Sequence, residues 1–598
     1  MVSVSNAMMR CWRQFSDLAT GPAMWSLERH QAVTRQVFKL RFNSIVISLW
    51  PQQPFVDFEC GGIRRQDATM LFGQKFPVDA DTIGVTPGPG ERFLDNPEFL
   101  GAETYEDMLA AGRRLLGGIL DQAQALDMHT MIGLQPFEFP VEFRPLLDTP
   151  TREGIQLGGR TCAERGDLRH PGHMALVQAH LDAYLHQWSR VDELTLVMPE
   201  FPKADSAYRD AWEALDRKFG VASVMSLDQL IAESSGLTPG GRERADREMK
   251  SAVSMLHFLD GFFEQSGILE RGAAADTKFT ISLAVTTAPL FKVIDRVLPP
   301  GVGVENVLEY TASRAVRRMH YMEDLDATRV GALLDVTLQD DNGGWLPQVA
   351  TQSVHLLLRQ AQRLGWRGFV TRYWPVGDLD PAVACLARSA WDADLTPATV
   401  YEDHFDHVFG PRATADMCRV MRLLEDATIL LDLDLFYFLF PVLGIMGVPL
   451  ERTEPTPEAL THVRAMYEQC RRILLRQGDR LEAPSAAERL EYMVGRLEFS
   501  IGAMTDWELL ADGAAAFRAA PDADDEAASR PPAEIAHDCF RRAIESGEAA
   551  LRAAARAARP ADRPLLIAYY HLLVREVREL TSKMMQRPPE SSVSIRGS

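Results

Sequence analysis

The sequence predicts an α/β protein: a (β/α)8 TIM barrel followed by a C-terminal α-helical domain. Three observations predict it. Over the first four hundred residues, short apolar or β-branched runs alternate with amphipathic stretches of helical period. Eight such runs can be found, as a closed barrel requires. After Pro397 the β signal fades into sequence rich in Ala, Leu, Arg and Glu. An open doubly wound sheet would show a glycine-rich first turn, and neither GxGxxG nor a P-loop follows any of the runs.

Taken in order, the first strand is expected around Met9 to Phe15 and the second at Ser44–Trp50, after a helix over Trp25–Leu40. The third is Thr130–Gln135, preceded by a long helix over Tyr105–Leu126, and the fourth Glu193–Met198, preceded by Met174–Trp188. Phe279–Val285, Asn306–Tyr310, Ala332–Leu338 and Gly368–Tyr373 complete the set. Phe72–Pro97 is rich in Pro, Gly and Asp without periodicity, which reads as a long loop on the active face. A helical insertion, about Phe201–Lys278, should flank the same mouth. The expected domains are a catalytic barrel over 1–397, helices over 398–586, and a disordered tail over 587–598. Ala519–Pro532 reads as a flexible connection between two of the later helices.

Composition narrows the partners. A formal charge of −20 over 598 residues argues against a phosphate-binding surface, so neither nucleic acid nor an anionic membrane is expected. The seven cysteines are scattered, odd in number and never spaced CxxC, which suggests neither a disulfide framework nor a thiolate zinc site. Arg10 and Arg13 interrupt what would be a signal-peptide core, so a cytoplasmic setting is expected. Leu435–Leu450 is apolar but short, and it carries Pro441 and two glycines; a buried helix pair is the better reading. His170 and His173 lack the companions of a metal motif, and no GxSxG elbow occurs. No metal or cofactor is expected. A homodimer through the helical domain is the one protein partner expected.

In this fold the reactive groups sit at the C-terminal strand ends, where the loops converge. Acidic and aromatic residues accumulate at those positions. Glycosidic cleavage needs a carboxylic acid to protonate the leaving oxygen, a second carboxylate as nucleophile or base, and flat faces to hold the ring. Glu200 directly follows the fourth strand and is set in a stiff turn between Pro199 and Pro202, which makes it the candidate general acid. The bland alternative is a helix cap or an arginine partner.

Glu309 and Asp335 are the two candidates for the second carboxylate. In the seventh strand Leu334, Val336 and Leu338 alternate with Asp335, Thr337 and Gln339, placing the polar series inside the barrel. Asp335 there would be costly alone, so it is either functional or held by a neighbouring arginine. Glu309 has Arg314 nearby, which could pair with it or with a substrate carboxylate. The substrate-binding candidates are Trp50, Trp345 and Trp374 as stacking faces, with Gln52, Glu138, Arg372, Asp340 and Asp341. Asp340 and Asp341 read equally as turn formers, and Glu138, which repeats the Glu-Phe-Pro context of Glu200, as a supporting partner.

The run Lys39–Trp50 resembles the helix and strand that lead into the barrel of glycoside hydrolases such as family 67 α-glucuronidases and family 20 or 84 β-N-acetylhexosaminidases. Trp391–Tyr401, followed by Val408–Pro411, resembles the start of their trailing helical domain. The likeness covers architecture from about residue 20 to 450. It implies that Glu200 matches the strand-four general acid, and that Glu309 and Asp335 fall where an α-glucuronidase carries its base carboxylates. Two departures point to an atypical member. Those hexosaminidases present adjacent acidic residues after strand four, whereas Pro199 precedes Glu200 here, and the usual β domain before the barrel is missing. The expectation is an exo-acting glycosidase on a non-reducing-end uronide or other glycoside, its pocket closed by the 72–97 and 201–278 segments. The rivals are a β-N-acetylhexosaminidase and a non-catalytic carbohydrate-binding barrel.

Overall fold

A computed structural model describes residues 8–14, 21–71, 76–147, 155–157, 160–165, 167–199, 207–237, 241–339, 345–372, 379–392, 394–433, 446–451, 458–481, 484–519 and 531–586. Eight parallel strands close a barrel: β1 (Met9–Arg13), β2 (Ser44–Ser48), β3 (His129–Leu134), β4 (Glu193–Val197), β5 (Lys278–Leu283), β6 (Gly303–Val307), β7 (Ala332–Thr337) and β8 (Gly368–Arg372). Each strand pairs with its neighbours in chain order, and β8 returns to β1 with Cys11 opposite Val370. Each crossover between successive strands carries helix, as parallel pairing requires.

The side-chain period of two divides every strand between two environments. Trp12, Ile45, Ile47, Ile132, Leu194, Ile281, Val304, Leu334 and Phe369 face outward into the large core shared with the helices. Cys11, Val46, Met131, Leu333 and Val370 face inward and form a small apolar plug of their own. That plug fills the barrel's middle and leaves polar inward residues above and below it.

The helices begin where the sequence supplies caps. Ser26 accepts from Arg29 N to start Leu27–Lys39, and Thr104 and Asp107 form a reciprocal capping box at the head of Tyr105–Ala125. Below the barrel mouth, Glu193 is fully buried and bound by Arg367 at 3.0 and 2.6 Å, with His129 and Thr280 beside it. These groups fix the N-terminal ends of four strands.

The sixth strand corrects the sequence reading. It runs Gly303–Val307, three residues earlier than expected, and so carries Glu305 inside the barrel. Two glycines and a charged residue within five positions look like a turn from sequence. Here Gly303 is needed because an added Cβ would lie 2.5 Å from Thr280 Oγ1, and Glu305 finds partners across the interior.

A second apolar core lies among the C-terminal helices, which start with Pro397–Phe409, capped by Thr396. Trp345, Leu346 and Val349, from the segment after β7, are built into that core rather than into the barrel's. The described part of the 72–97 loop has a single bridge, Pro77 to Phe93, and is tied to the last helices. Arg563 grips Glu91, Arg575 pairs with Asp79, and His571 Nε2 lies 2.6 Å from the Pro77 carbonyl. The inserted Gly241–Gln265 helix packs Phe258 on Phe137, just past β3, and its Arg244 reaches the Tyr310 hydroxyl just past β6 at 2.7 Å. The insertion thus spans the barrel rim from β3 to β6.

No described helix is long and apolar enough to cross a membrane. Most of the Leu435–Leu450 stretch, most of Ala519–Pro532 and the whole 587–598 tail lie outside the described residues.

Candidate active site

Arg13, the last residue of β1, reaches into the barrel and gathers two acids. One guanidinium nitrogen lies 2.7 Å from Glu305 Oε1 and 2.9 Å from Asp335 Oδ2; the other donates to Ser48 Oγ at 3.0 Å. Ser282 Oγ adds a hydrogen bond to Glu305 Oε1 at 3.1 Å. Since one nitrogen binds both acids, their near oxygens are no further apart than those two contacts laid end to end. Five strands, β1, β2, β5, β6 and β7, meet in this group.

Its electrostatics are uneven. Glu305 is 1% exposed, and burial raises its carboxyl pKa; Arg13 opposes the rise and Asp335 adds to it. Asp335 Oδ1 and Glu305 Oε2 are buried without a partner among the described residues. So are Thr195 Oγ1, Thr337 Oγ1, Gln135 Oε1 and Gln52 Nε2. Each such atom costs about 1–3 kcal/mol if left dry, so the six together make this the polar side of the barrel interior. On β3, Gly133 lets Ser48 pack closely, since an added Cβ would come within 3.3 Å of Ser48 Oγ.

Glu309 belongs to a separate cluster at the end of β6. Arg318 and Arg314 hold its Oε2 at 2.7 and 3.2 Å, and its Oε1 accepts from Tyr310 N at 3.0 Å. Both oxygens are engaged and the side chain is fully buried. Glu309 Oε2 makes no hydrogen bond among the described residues but lies in ion-pair range of both arginines, whereas Asp335 Oδ1 has neither a hydrogen bond nor an ion pair there.

The remaining sequence candidates divide three ways. Trp50 is half-buried just past β2, where its backbone N–H donates to Gln53 Oε1, and Gln52 beside it accepts from Arg65 through its backbone carbonyl. Glu138 is 2% exposed in a two-residue strand that pairs with Glu164 and Arg165. Trp345 is enclosed edge-on by Phe499 and Tyr569, so its faces are taken up by protein and not presented to a sugar. Glu200, Asp340, Asp341, Trp374 and the side chain of Arg372 lie outside the described residues.

Sequence reading missed Arg13 and Glu305, and with them Ser48 and Ser282. The available signal was parity: each falls on the inward series of its strand, as Asp335 does. Among the described residues, no three His, Cys, Asp or Glu side chains group closely enough to hold a metal ion.

No known protein family matches the sequence, and no curated protein resembles it. Among solved structures, the chain is similar to a GH138 enzyme targeting pectin rhamnogalacturonan II, with a TM-score of 0.47 and 10% identity over 92% of this chain and 62% of that one. It spans less than two thirds of that enzyme's length. It is also similar to a mutant O-GlcNAc hydrolase of Thermobaculum terrenum, with a TM-score of 0.38 and 8% identity over 96% of this chain and 94% of that one. A third is a family GH115 4-O-methyl-α-glucuronidase with specificity for decorated arabinogalactans, with a TM-score of 0.34 and 10% identity over 98% and 81%. Likeness at this level carries no argument about the reaction of this chain.

Proposed function

We propose that the protein is a glycoside hydrolase in which Glu200, three residues after β4 in the sequence, is the general acid and Asp335 is the second carboxylate. One observation carries the reading: Arg13 gathers two carboxyl groups from neighbouring strands inside the barrel, and each keeps an oxygen without a described partner. Asp335 Oδ1, buried with no described partner, is the acceptor that the pair presents. Arg13 holds it in place as a preorganised charge. Glu305 then acts by fixing Arg13, and Glu309 by organising the β6 loop.

Within that reaction the substrate is a non-reducing-end uronide or other glycoside, with Trp50 at the β2 rim as its stacking face. A panel of nitrophenyl glycosides, including a glucuronide and an N-acetylglucosaminide, tests the reading with wild type and Glu200→Gln. Nitrophenol release from at least one sugar is expected, falling by orders of magnitude in the variant at unchanged melting temperature. A protein that binds glycans and releases nothing would be a carbohydrate-binding barrel instead.

A further inference from the structure

The described Pro411–Leu433 helix of the helical domain meets the barrel just past β6. Asp432 on it is 2% exposed, and its Oδ2 accepts from Thr311 Oγ1 at 2.8 Å. Thr311 follows Glu309 by two residues and precedes the short Ala312–Ala315 helix, which carries Arg314. Asp432 Oδ1 is buried with no partner among the described residues. Three charged groups face it from the barrel: Arg314 and Arg317, which attract its anion, and Glu309, which repels it. Arg318 completes the group through Glu309.

Two carboxyl groups, one from each domain, thus interact with Arg314: Glu309 as an ion pair at 3.2 Å and Asp432 through its electrostatic pull. Glu309 already holds that guanidinium, so an ionised Asp432 would compete for it. We propose that Asp432 is a positioning residue that the helical domain supplies to the barrel mouth, where its charge state sets how firmly Arg314 stays on Glu309. The proposal rests on the barrel mouth being the active site. Burial, against the pull of Thr311 and Arg314, raises the Asp432 pKa from 3.8 to about 7. Around neutrality the cluster thus passes between two states. A neutral Asp432 leaves Arg314 on Glu309, and an ionised one draws it toward the helical domain and loosens the β6 loop.

The test follows KM and kcat against pH for whichever nitrophenyl glycoside is turned over fastest. In wild type, KM should rise several-fold as pH rises through about 7 while kcat does not follow it. Asp432→Asn should remove that rise, and Asp432→Glu should restore a pH-dependent KM. Superimposable KM profiles for wild type and Asp432→Asn would overturn the proposal.

If no glycoside is cleaved, the hydrolase reading fails, and Asp432 is tested by melting alone. Its folded pKa lies above its unfolded one, so between about pH 4 and 7 the native state holds a proton that the unfolded chain has lost. Wild-type stability relative to Asp432→Asn should fall across that window and level off above it. A melting difference that does not change with pH overturns the proposal independently of activity.

Discussion

Arg13 and Asp335 are 322 residues apart in sequence and 2.9 Å apart in space, joined across the barrel interior from the end of β1 to the middle of β7. That contact and its counterpart to Glu305 hold two acids where neither could remain buried and ionised alone. Removing the cation is therefore costlier than removing either acid. Arg13→Met should destabilise the protein by about 3–5 kcal/mol at neutral pH in chemical denaturation. The deficit should shrink as the pH is lowered and the two stranded carboxylates take up protons.

The opposite end of the barrel responds to acid differently. Burial works against the Glu193 anion, but His129, Arg367 and Thr280 outweigh it and bring its pKa down from 4.5 to about 2. A folded pKa below the unfolded one stabilises the protein fully above about 4.5, and that stability drains as pH falls toward 2. The amount is on the order of 3 kcal/mol. Glu193→Gln should melt lower than wild type at pH 7, and the gap should narrow across that acid window.

Gly84 lies where the long loop after β2 meets the helical domain. Its φ is +74°, and an added Cβ would fall 2.4 Å from the Ala555 side chain. Gly84→Ala should cost about 1–3 kcal/mol from overpacking, with the left-handed backbone adding to it. Limited proteolysis should then cut the loop in the variant under conditions that spare the wild type.

Trp345 separates a packing role from a substrate role. Closed in by Phe499 and Tyr569, it should cost about 3–5 kcal/mol on replacement by alanine. Glycoside KM measured well below the melting transition should stay close to wild type.

The barrel was legible because its strands alternate so regularly. Ser44–Ser48 and Ala332–Thr337 lie within the runs read from sequence, and the inward placement of Asp335 follows from Leu334 and Val336 on either side. The pairing of Arg314 with Glu309 was one of two readings that their spacing left open. What sequence hid was the far partner. Arg13 breaks an apolar run and weakens the first strand as a pattern, yet it is the residue that makes Glu305 and Asp335 tolerable inside. Without knowing that β1 closes on β8, nothing connects position 13 to positions 305 and 335. The enclosure of Trp345 was hidden for the same reason, since it depends on helices more than 150 residues later.

The most direct measurement is kcat for Asp335→Asn on a glycoside the wild type cleaves, taken with a melting curve that shows the fold intact. A loss of about a hundredfold or more at a near-native melting temperature is expected for a carboxylate that takes part in bond cleavage. Turnover within a few-fold of wild type would contradict that role and leave the Arg13 cluster as a structural ion group.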